Sequence, residues 1–342
     1  MMEYEKLIED PLLKRAFHAW WIYNNNIYLH GGVDKYNSLK EPFEDVVEIQ
    51  LPSKSVQPAK CKNFGPRKSH HRAIIIDEKW VCLIGGWDGR QRTSTVHALN
   101  METFEWTNLS VDALCSPPVG LSGHTCTKVG LREIIISGRE GGVRMQRRYG
   151  SVYKLTVNIE NLSYNYKELP IHISSRSGHV SCLLEKNSML NLIVGGGRDS
   201  DSAEIVGTWP KKQINFSHNV HELELRLKAH LPSQRVETQK RPVANLLIPT
   251  KPRSLRYHAA IEAGCLCLVH GGEVFGRARD TISGDIFVHN NVASKWWVKT
   301  CTAPILKRMG HSLWYDDGYL YIISGIGSNG KIPDGSVVSI PL

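Results

Sequence analysis

No stretch of the 342-residue sequence approaches the run of about 18 apolar residues that a membrane-spanning helix needs, so no span is expected. Nothing at the amino end reads as a secretory leader. Met1-Met2-Glu3-Tyr4-Glu5-Lys6 is acidic and polar, without the basic and apolar regions of a signal. The eight cysteines show no metal-ligand spacing, and Cys82, Cys265 and Cys267 lie in apolar, strand-like runs. That pattern argues against a zinc module and for reduced thiols in the cytoplasm or nucleus. Catalytic signatures are missing as well. Gly195-Gly196-Gly197 lacks the following lysine and helix of a phosphate-binding loop, and neither a nucleophile elbow nor a paired-carboxylate motif stands out. His218-x-x-His221 has ligand spacing on a helix but no third ligand. The expectation is a protein without catalysis, cofactor or bound metal.

What is present is ordinary in bulk and regular in detail. Hydrophobic residues make up 41% and charged residues 22%, as in a globular protein, with a formal net charge of +9. An apolar run ending in glycine recurs six times: Ile27–Gly32, Trp80–Gly86, Ile134–Gly138, Leu192–Gly196, Cys267–Gly272 and Tyr321–Gly325. The terminal glycines are spaced by 54, 52, 58, 76 and 53 residues. A histidine precedes each: His18, His124, His258 and His311 by 14 residues, His71 by 15 and His179 by 17. Four units carry Arg-x-x-His, at Arg15, Arg67, Arg176 and Arg308. A third strand-like run follows in each unit, as at Asp45–Ile49, Ser151–Leu155 and Gly284–Val288. A fourth carries an aromatic anchor in several, as at Trp106, Tyr164 or Tyr166, and Trp296-Trp297. Short β-branched and aromatic runs between Gly, Asn and Asp are strands, so each unit reads as a four-stranded antiparallel sheet.

Six in-register units over essentially the whole chain resemble the kelch family of β-propellers. The expected fold is all-β: a six-bladed kelch-type propeller forming one domain over residues 1–342. Closure is expected from the amino end. Pro11–His18 mirrors Pro304–His311 at an offset of 293 residues. The sixth unit is one strand short, and the same offset places its outer strand at Glu3–Lys6, with Tyr4 opposite Trp297. Closure removes an exposed sheet edge. Some kelch propellers are ferrous-dependent specifier proteins with a Glu, Asp, His pattern at four-residue steps. Here Glu41 and Asp45 are followed by Ile49, so the pattern fails.

Seven of the fifteen histidines (His18, His70, His71, His124, His179, His258 and His311) belong to the repeat and are expected to hold the blades by bonding the backbone at the glycine turns. Between units four and five lies an insertion at about 217–252. Val220, Leu223, Leu227 and Leu231 fall on one helical face, predicting a short helix over 219–231 capped by Asn219 or Ser217. Pro232–Pro252 reads as a loop.

In a four-stranded blade, the loops after the glycines share one face with the links between blades. Arg90, Arg92, Arg144, Arg147, Arg148, Arg277 and Arg279 lie in those loops, and Trp87 and Tyr149 sit beside them. The repeat arginines are expected to pair with local acids such as Asp88, Asp199 and Asp280. The loop arginines are the candidate partner-binding residues, because a guanidinium grips carboxylates bidentately. The expected ligand is an acidic segment or C-terminal carboxylate of another protein. Nucleic acid is disfavoured for want of a stacking platform, and the chain alone is expected to be a monomer. The resemblance implies a similar basic face in kelch receptors of ubiquitin ligases. Here neither a BTB domain nor a cullin-adaptor box is recognised, so that role would need a separate docking surface. A structural place in a cytoskeletal or ciliary assembly is the other alternative.

Overall fold

The alternation of apolar runs with Gly, Asn and Asp turns folds, in the computed structural model, into successive antiparallel sheets. The structure describes residues 3–36, 41–138, 150–198, 203–211, 219–230, 248–249, 255–274 and 281–342. Sheet 1 comprises Ala19–Tyr23, Asn26–His30, Val46–Gln50 and Ser55–Pro58; sheet 2 comprises Arg72–Ile76, Trp80–Ile84, Val96–Asn100 and Glu105–Asn108. Sheet 3 runs Thr125–Lys128, Glu133–Gly138, Gly150–Asn158 and Ser163–Ile173, with Ser110–Val111 added in parallel at its edge. Sheet 4 has three described strands, Val180–Lys186, Met189–Gly195 and Ala203–Pro210. Residues 212–218, which follow the third strand, lie outside the described residues. Sheet 5 comprises Ala259–Ala263, Leu266–His270, Ile286–Asn290 and Lys295–Lys299, and sheet 6 comprises Ser312–Asp316, Tyr319–Ile323 and Ser336–Pro341.

The outer strand of sheet 6 comes from the amino end: Glu5–Glu9 pairs antiparallel with Ser336–Pro341. The strand lies a few residues later than the 293-residue offset placed it. The link to the Pro11–Leu13 turn is only Asp10, whose carboxylate accepts the Leu12 N–H at 2.8 Å; the corresponding link before Pro304–Leu306 is longer. Tyr4 is therefore exposed and not an anchor, and Ile8 takes the buried place.

Apolar clusters lie between consecutive sheets. Val81, Leu83 and Trp21 fill the space between sheets 1 and 2; Ile84, Ile134 and Tyr166 that between 2 and 3. Val152 and Leu192 do the same between 3 and 4, and Leu184 and Val269 between 4 and 5. Leu268, Leu313 and Ile322 join 5 to 6, and Ile8, Leu29 and Val337 join 6 to 1.

Hairpin register fixes what lies at each end. Ala19 pairs with His30 beside the glycines, and Tyr23 pairs with Asn26 at the far turn. Sheet 6 repeats this with Ser312–Ile323 and Asp316–Tyr319. The far turn of sheet 1 has positive φ at Asn24 (47°) and Asn25 (61°), the two-residue turn that matches strand twist. In sheet 4 the glycine turn is Gly196-Gly197, with φ of 67° and 94°, one residue later than the sequence spacing suggested, because Gly195 is still paired in its strand.

The insertion forms the expected helix, α1, at Asn219–His230. Leu223 and Leu227 are buried against sheets 5 and 6 while Leu225 is exposed, as one helical face requires and an alternating strand does not. Ser217 and the side chain of Asn219 lie outside the described residues, as does most of Pro232–Pro252. Ile248–Pro249, within that segment, pairs along the outer edge of sheet 5.

Candidate functional site

Six of the seven repeat histidines are buried, His70 being half-buried, and several bond between sheets. His71 Nε2 lies 2.9 Å from His30 Nδ1 of sheet 1, and His311 Nε2 lies 2.9 Å from His270 Nδ1 of sheet 5. His179 Nε2 meets the Thr125 hydroxyl at 3.2 Å, and His18 Nε2 meets the Ser312 hydroxyl at 2.7 Å. Burial pushes His18, His30, His124 and His270 down to about 3, so these rings are neutral at pH 7. Each glycine turn approaches the next histidine closely. A Cβ on Gly85 would stand 2.8 Å from His124 Cε1, and one on Gly196 would stand 2.7 Å from His258 Cε1. Among the described residues, no group of three or more His, Cys, Asp or Glu could hold a metal; His218 lies outside them.

The arginine three residues before the histidine is a clasp within its own sheet. Arg15 donates to both Asp45 oxygens (3.0 and 2.8 Å) and to the Gly31 carbonyl (3.1 Å). Arg176 pairs with Glu204, and Arg308 with Asp334. The acids are thus Asp45, Glu204 and Asp334. Asp88 instead accepts the backbone N–H groups of Arg90 and Gln91, each at 2.8 Å, and so shapes the loop; Asp199 and Asp280 lie outside the described residues. Arg67 is out of register with the motif. It is exposed and pairs with Glu41 and Glu44, while Lys68 occupies the clasp position and donates to the Gly85 carbonyl at 2.9 Å and the Thr93 and Thr95 hydroxyls. Burial lowers Lys68 to about 8.

The residue just before each repeat histidine builds the centre. Phe17, His70, Gly123, Gly178, Tyr257 and Gly310 all have φ between 55° and 67°. Each N–H donates to the carbonyl of the one before it: His70 to Phe17 (2.8 Å), Gly123 to His70 (3.2 Å) and Gly178 to Gly123 (2.7 Å). Tyr257 donates to Gly178 (2.7 Å), Gly310 to Tyr257 (2.8 Å) and Phe17 to Gly310 (2.8 Å), which completes the cycle. The left-handed conformation costs a non-glycine residue roughly 1–2 kcal/mol. Three aromatic residues bear that cost, and their rings cover the centre. Phe17 stacks on His70 with centroids 4.2 Å apart and meets the edge of Tyr257 at 4.8 Å. The three glycines leave room for them: a Cβ on Gly310 would stand 2.6 Å from Phe17, and one on Gly178 would stand 2.8 Å from Tyr257.

Around this aromatic floor, at the glycine end, cations gather. Burial pushes the Tyr257 hydroxyl upward, helped by the Glu273 carboxylate, while the guanidiniums of Arg256, Arg198 and Arg92 act against it. Burial, aided by Arg72, Arg92 and Arg256, lowers His70 to about 3. Arg256 lies 5.2 Å over the Tyr257 ring, pairs with Glu273 and donates to the Tyr36 hydroxyl at 2.8 Å. Of the seven expected binding residues, Arg92 is half-buried and its charge reaches both His70 and Tyr257, while Arg90 is exposed. Arg144, Arg147, Arg148, Arg277 and Arg279 lie outside the described residues, as does Tyr149. The floor itself was missed from sequence, although its signal is local: it is the position immediately before each repeat histidine.

Two further charged groups escaped the sequence reading. Arg72 Nε–H donates to the His124 carbonyl at 2.9 Å, and its charge reaches repeat histidines of five units, which places it among the inner strands. Burial raises Glu262 to about 7, where it accepts the Leu183 N–H at 2.7 Å.

With this geometry in hand, kinship is informative. Over 329 residues, 94% of this chain and 90% of its relative, the sequence is 35% identical to human Kelch domain-containing protein 9. The chain belongs to the kelch-repeat family. The mouse Kelch domain-containing protein 9 matches with the same identity and coverage. The profile of the KLHDC2/KLHL20/DRC7 Kelch-repeats domain matches residues 6–138 of this kelch chain. A 130-residue stretch, 37% of the chain, is 25% identical to 3% of the flagellar outer-arm dynein alpha chain of Chlamydomonas reinhardtii. In three dimensions the chain resembles the solved structure of YjhT, with a TM-score of 0.57 at 13% identity over 96% of this chain and 95% of that one. The kelch fold is thus all-β and propeller-like, with one helix among the described residues. No helix among them is long and apolar enough to cross a membrane.

Proposed function

We propose that the chain is a closed six-bladed propeller, one domain over residues 1–342, that serves as a non-enzymatic platform for another protein. The cycle of six backbone hydrogen bonds, the pairing of Glu5–Glu9 with Ser336–Pro341 and the cluster between sheets 6 and 1 support closure. Its ligand is an acidic segment or C-terminal carboxylate, received at the glycine end by Arg90, Arg92, Arg144, Arg147, Arg148, Arg277 and Arg279. One observation carries this reading: the charges of Arg92, Arg198 and Arg256 act together on Tyr257 in the floor it shares with Phe17, against the acid Glu273 that pairs with Arg256. Such a site offers charge at the rim and apolar area at its base, as peptide recognition by arginine clusters requires. It is tested by charge reversal. Arg92→Glu, and separately the triple reversal of Arg144, Arg147 and Arg148 to Glu, should cost about 2–5 kcal/mol of binding for a desolvated pair and leave the melting curve near wild type. Unchanged affinity for every captured partner would refute the reading.

A second reading, a structural subunit of a ciliary assembly, draws support from the partial match to flagellar dynein. It predicts capture by several partners over the rim that survives the arginine reversals.

A further inference from the structure

Two buried cysteines meet across the junction of sheets 4 and 5. Cys182 lies in Val180–Lys186 and Cys267 in Leu266–His270, and their sulfurs stand 3.0 Å apart. Both belong to the apolar cluster between those sheets, with Leu184, Ile193, Val269 and Phe287. Both are free thiols here. A disulfide holds its sulfurs about 2.05 Å apart, so a shift of roughly half an ångström by each would close the gap.

Packing alone does not require sulfur at either place. Cys182 is the third residue after its repeat histidine, and that position in the other sheets holds Trp21, Ile74, Thr127, Ile261 and Trp314. Cys267 lies three residues before His270, the partner of Ala259 in the hairpin. Its counterparts by the same register are Ile27, Val81, Ile134, Leu192 and Leu320, all apolar. Cysteine thus occupies each of these two repeat positions once, and the two occurrences touch. A lone thiol can fill a core as a small hydrophobe, but that role does not bring a second sulfur against it. The junction is also the one that the insertion interrupts: 85 positions separate the two cysteines, with α1 among them.

We propose that Cys182 and Cys267 are a redox-sensitive staple, oxidised by hydrogen peroxide to a disulfide that ties sheet 4 to sheet 5. One thiol, as its thiolate, attacks the peroxide; the O–O bond breaks, a sulfenic acid forms and water leaves. The second sulfur attacks the sulfenic sulfur; the S–S bond forms and the S–O bond breaks with loss of a second water. The pair gives up two protons and two electrons, and the peroxide takes them in becoming two waters. The adjacent Cys267 thiol, burial and the Glu262 carboxylate hold the Cys182 thiol well above its ordinary value. Little thiolate is then present at pH 7, so the reaction is slow and brief exposure leaves the pair reduced. Local opening of the junction admits the peroxide. The staple is independent of any partner at the glycine end.

The test holds the full chain, reduced and then freed of reductant, with hydrogen peroxide under native conditions beside an untreated sample. Non-reducing peptide mapping should find Cys182 linked to Cys267, the intact mass should fall by about 2 Da, and dithiothreitol should reverse both. The bond closes a loop of 85 positions, so the melting temperature of the oxidised protein should rise by roughly 5–10 °C. Cys267→Val, which copies the residue at Val81, should abolish the link and the rise. Cys61→Ser, at a half-buried thiol packed beside sheets 1 and 2, should keep both. Treated protein in which the two cysteines stay thiols, pass to sulfinic acids or link to other cysteines would overturn the proposal. So would a Cys182–Cys267 link that forms only in urea or leaves the melting temperature unchanged.

Discussion

Substituting alanine for Gly310 attacks the centre of the molecule with a single methyl group. Two costs follow from the geometry. Gly310 has φ of 60°, where an alanine pays roughly 1–2 kcal/mol. The new Cβ would also stand 2.6 Å from the Phe17 ring. That ring cannot retreat, because His70 is stacked on it at 4.2 Å and Tyr257 meets it at 4.8 Å. Overpacking of this kind adds about 1–3 kcal/mol, giving a total of about 2–5 kcal/mol. Gly330 supplies the control. Its φ is 68°, and nothing lies within 4 Å of its virtual Cβ, so Gly330→Ala pays the backbone cost alone. At about 2 °C per kcal/mol for a large domain, thermal unfolding should show Gly310→Ala lower by roughly 4–10 °C and Gly330→Ala by roughly 2–4 °C. Trimming Phe17 to leucine in the Gly310→Ala background should recover part of the difference, a coupling that a double-mutant cycle isolates. Equal melting of the two alanine variants, with no coupling to Phe17, would refute the packed aromatic centre.

Deleting residues 1–8 removes most of the strand that covers Ser336–Pro341 and should markedly lower the melting temperature or solubility; an unchanged melt would contradict closure through the amino end. Acid should destabilise the fold early. The buried histidines are held near 3, well below their ordinary 6.5, so their contribution is complete above 6.5 and is lost as pH falls from there toward 3. Glu262, raised to about 7, works in the opposite sense, its contribution fading as pH rises through 7. With several histidines against one glutamate, urea midpoints should fall steadily from pH 7 to pH 5, at about 1.4 kcal/mol per pH unit for each proton taken up; a flat profile would show that these rings are not buried and neutral. Finally, elemental analysis of the purified protein should find no stoichiometric zinc, iron or copper, and about one chelator-resistant metal per chain would overturn the structural role given to the histidines.

The sheets were legible because their signal is periodic: apolar runs, terminal glycines and histidines recur in register, and no tertiary context reverses them. The register of the repeat cation was harder to read. Arg67-x-x-His70 matches the motif by letter, but Lys68 and His71 occupy the positions, which only the buried contacts to Gly85 and Thr93 reveal. Asp45, Glu204 and Asp334 could not be picked out because their distance from the arginine varies from sheet to sheet. The floor was overlooked for a different reason. Its positions hold Phe, His, Tyr and three glycines, so neither residue type nor hydropathy repeats; what repeats is a backbone conformation. Tyr4 misled because an alignment by offset cannot see that one link is shorter than its counterpart.

Photo-crosslinking reports directly where an acidic partner sits. An acidic peptide with a free C-terminal carboxylate and a benzophenone near that end would be irradiated with the full chain and the adducts mapped by mass spectrometry. The prediction is labelling around His70, Arg92 and Tyr257, abolished by Arg92→Glu. Labelling confined to α1 or to the outer strands, and indifferent to Arg92→Glu, would contradict it.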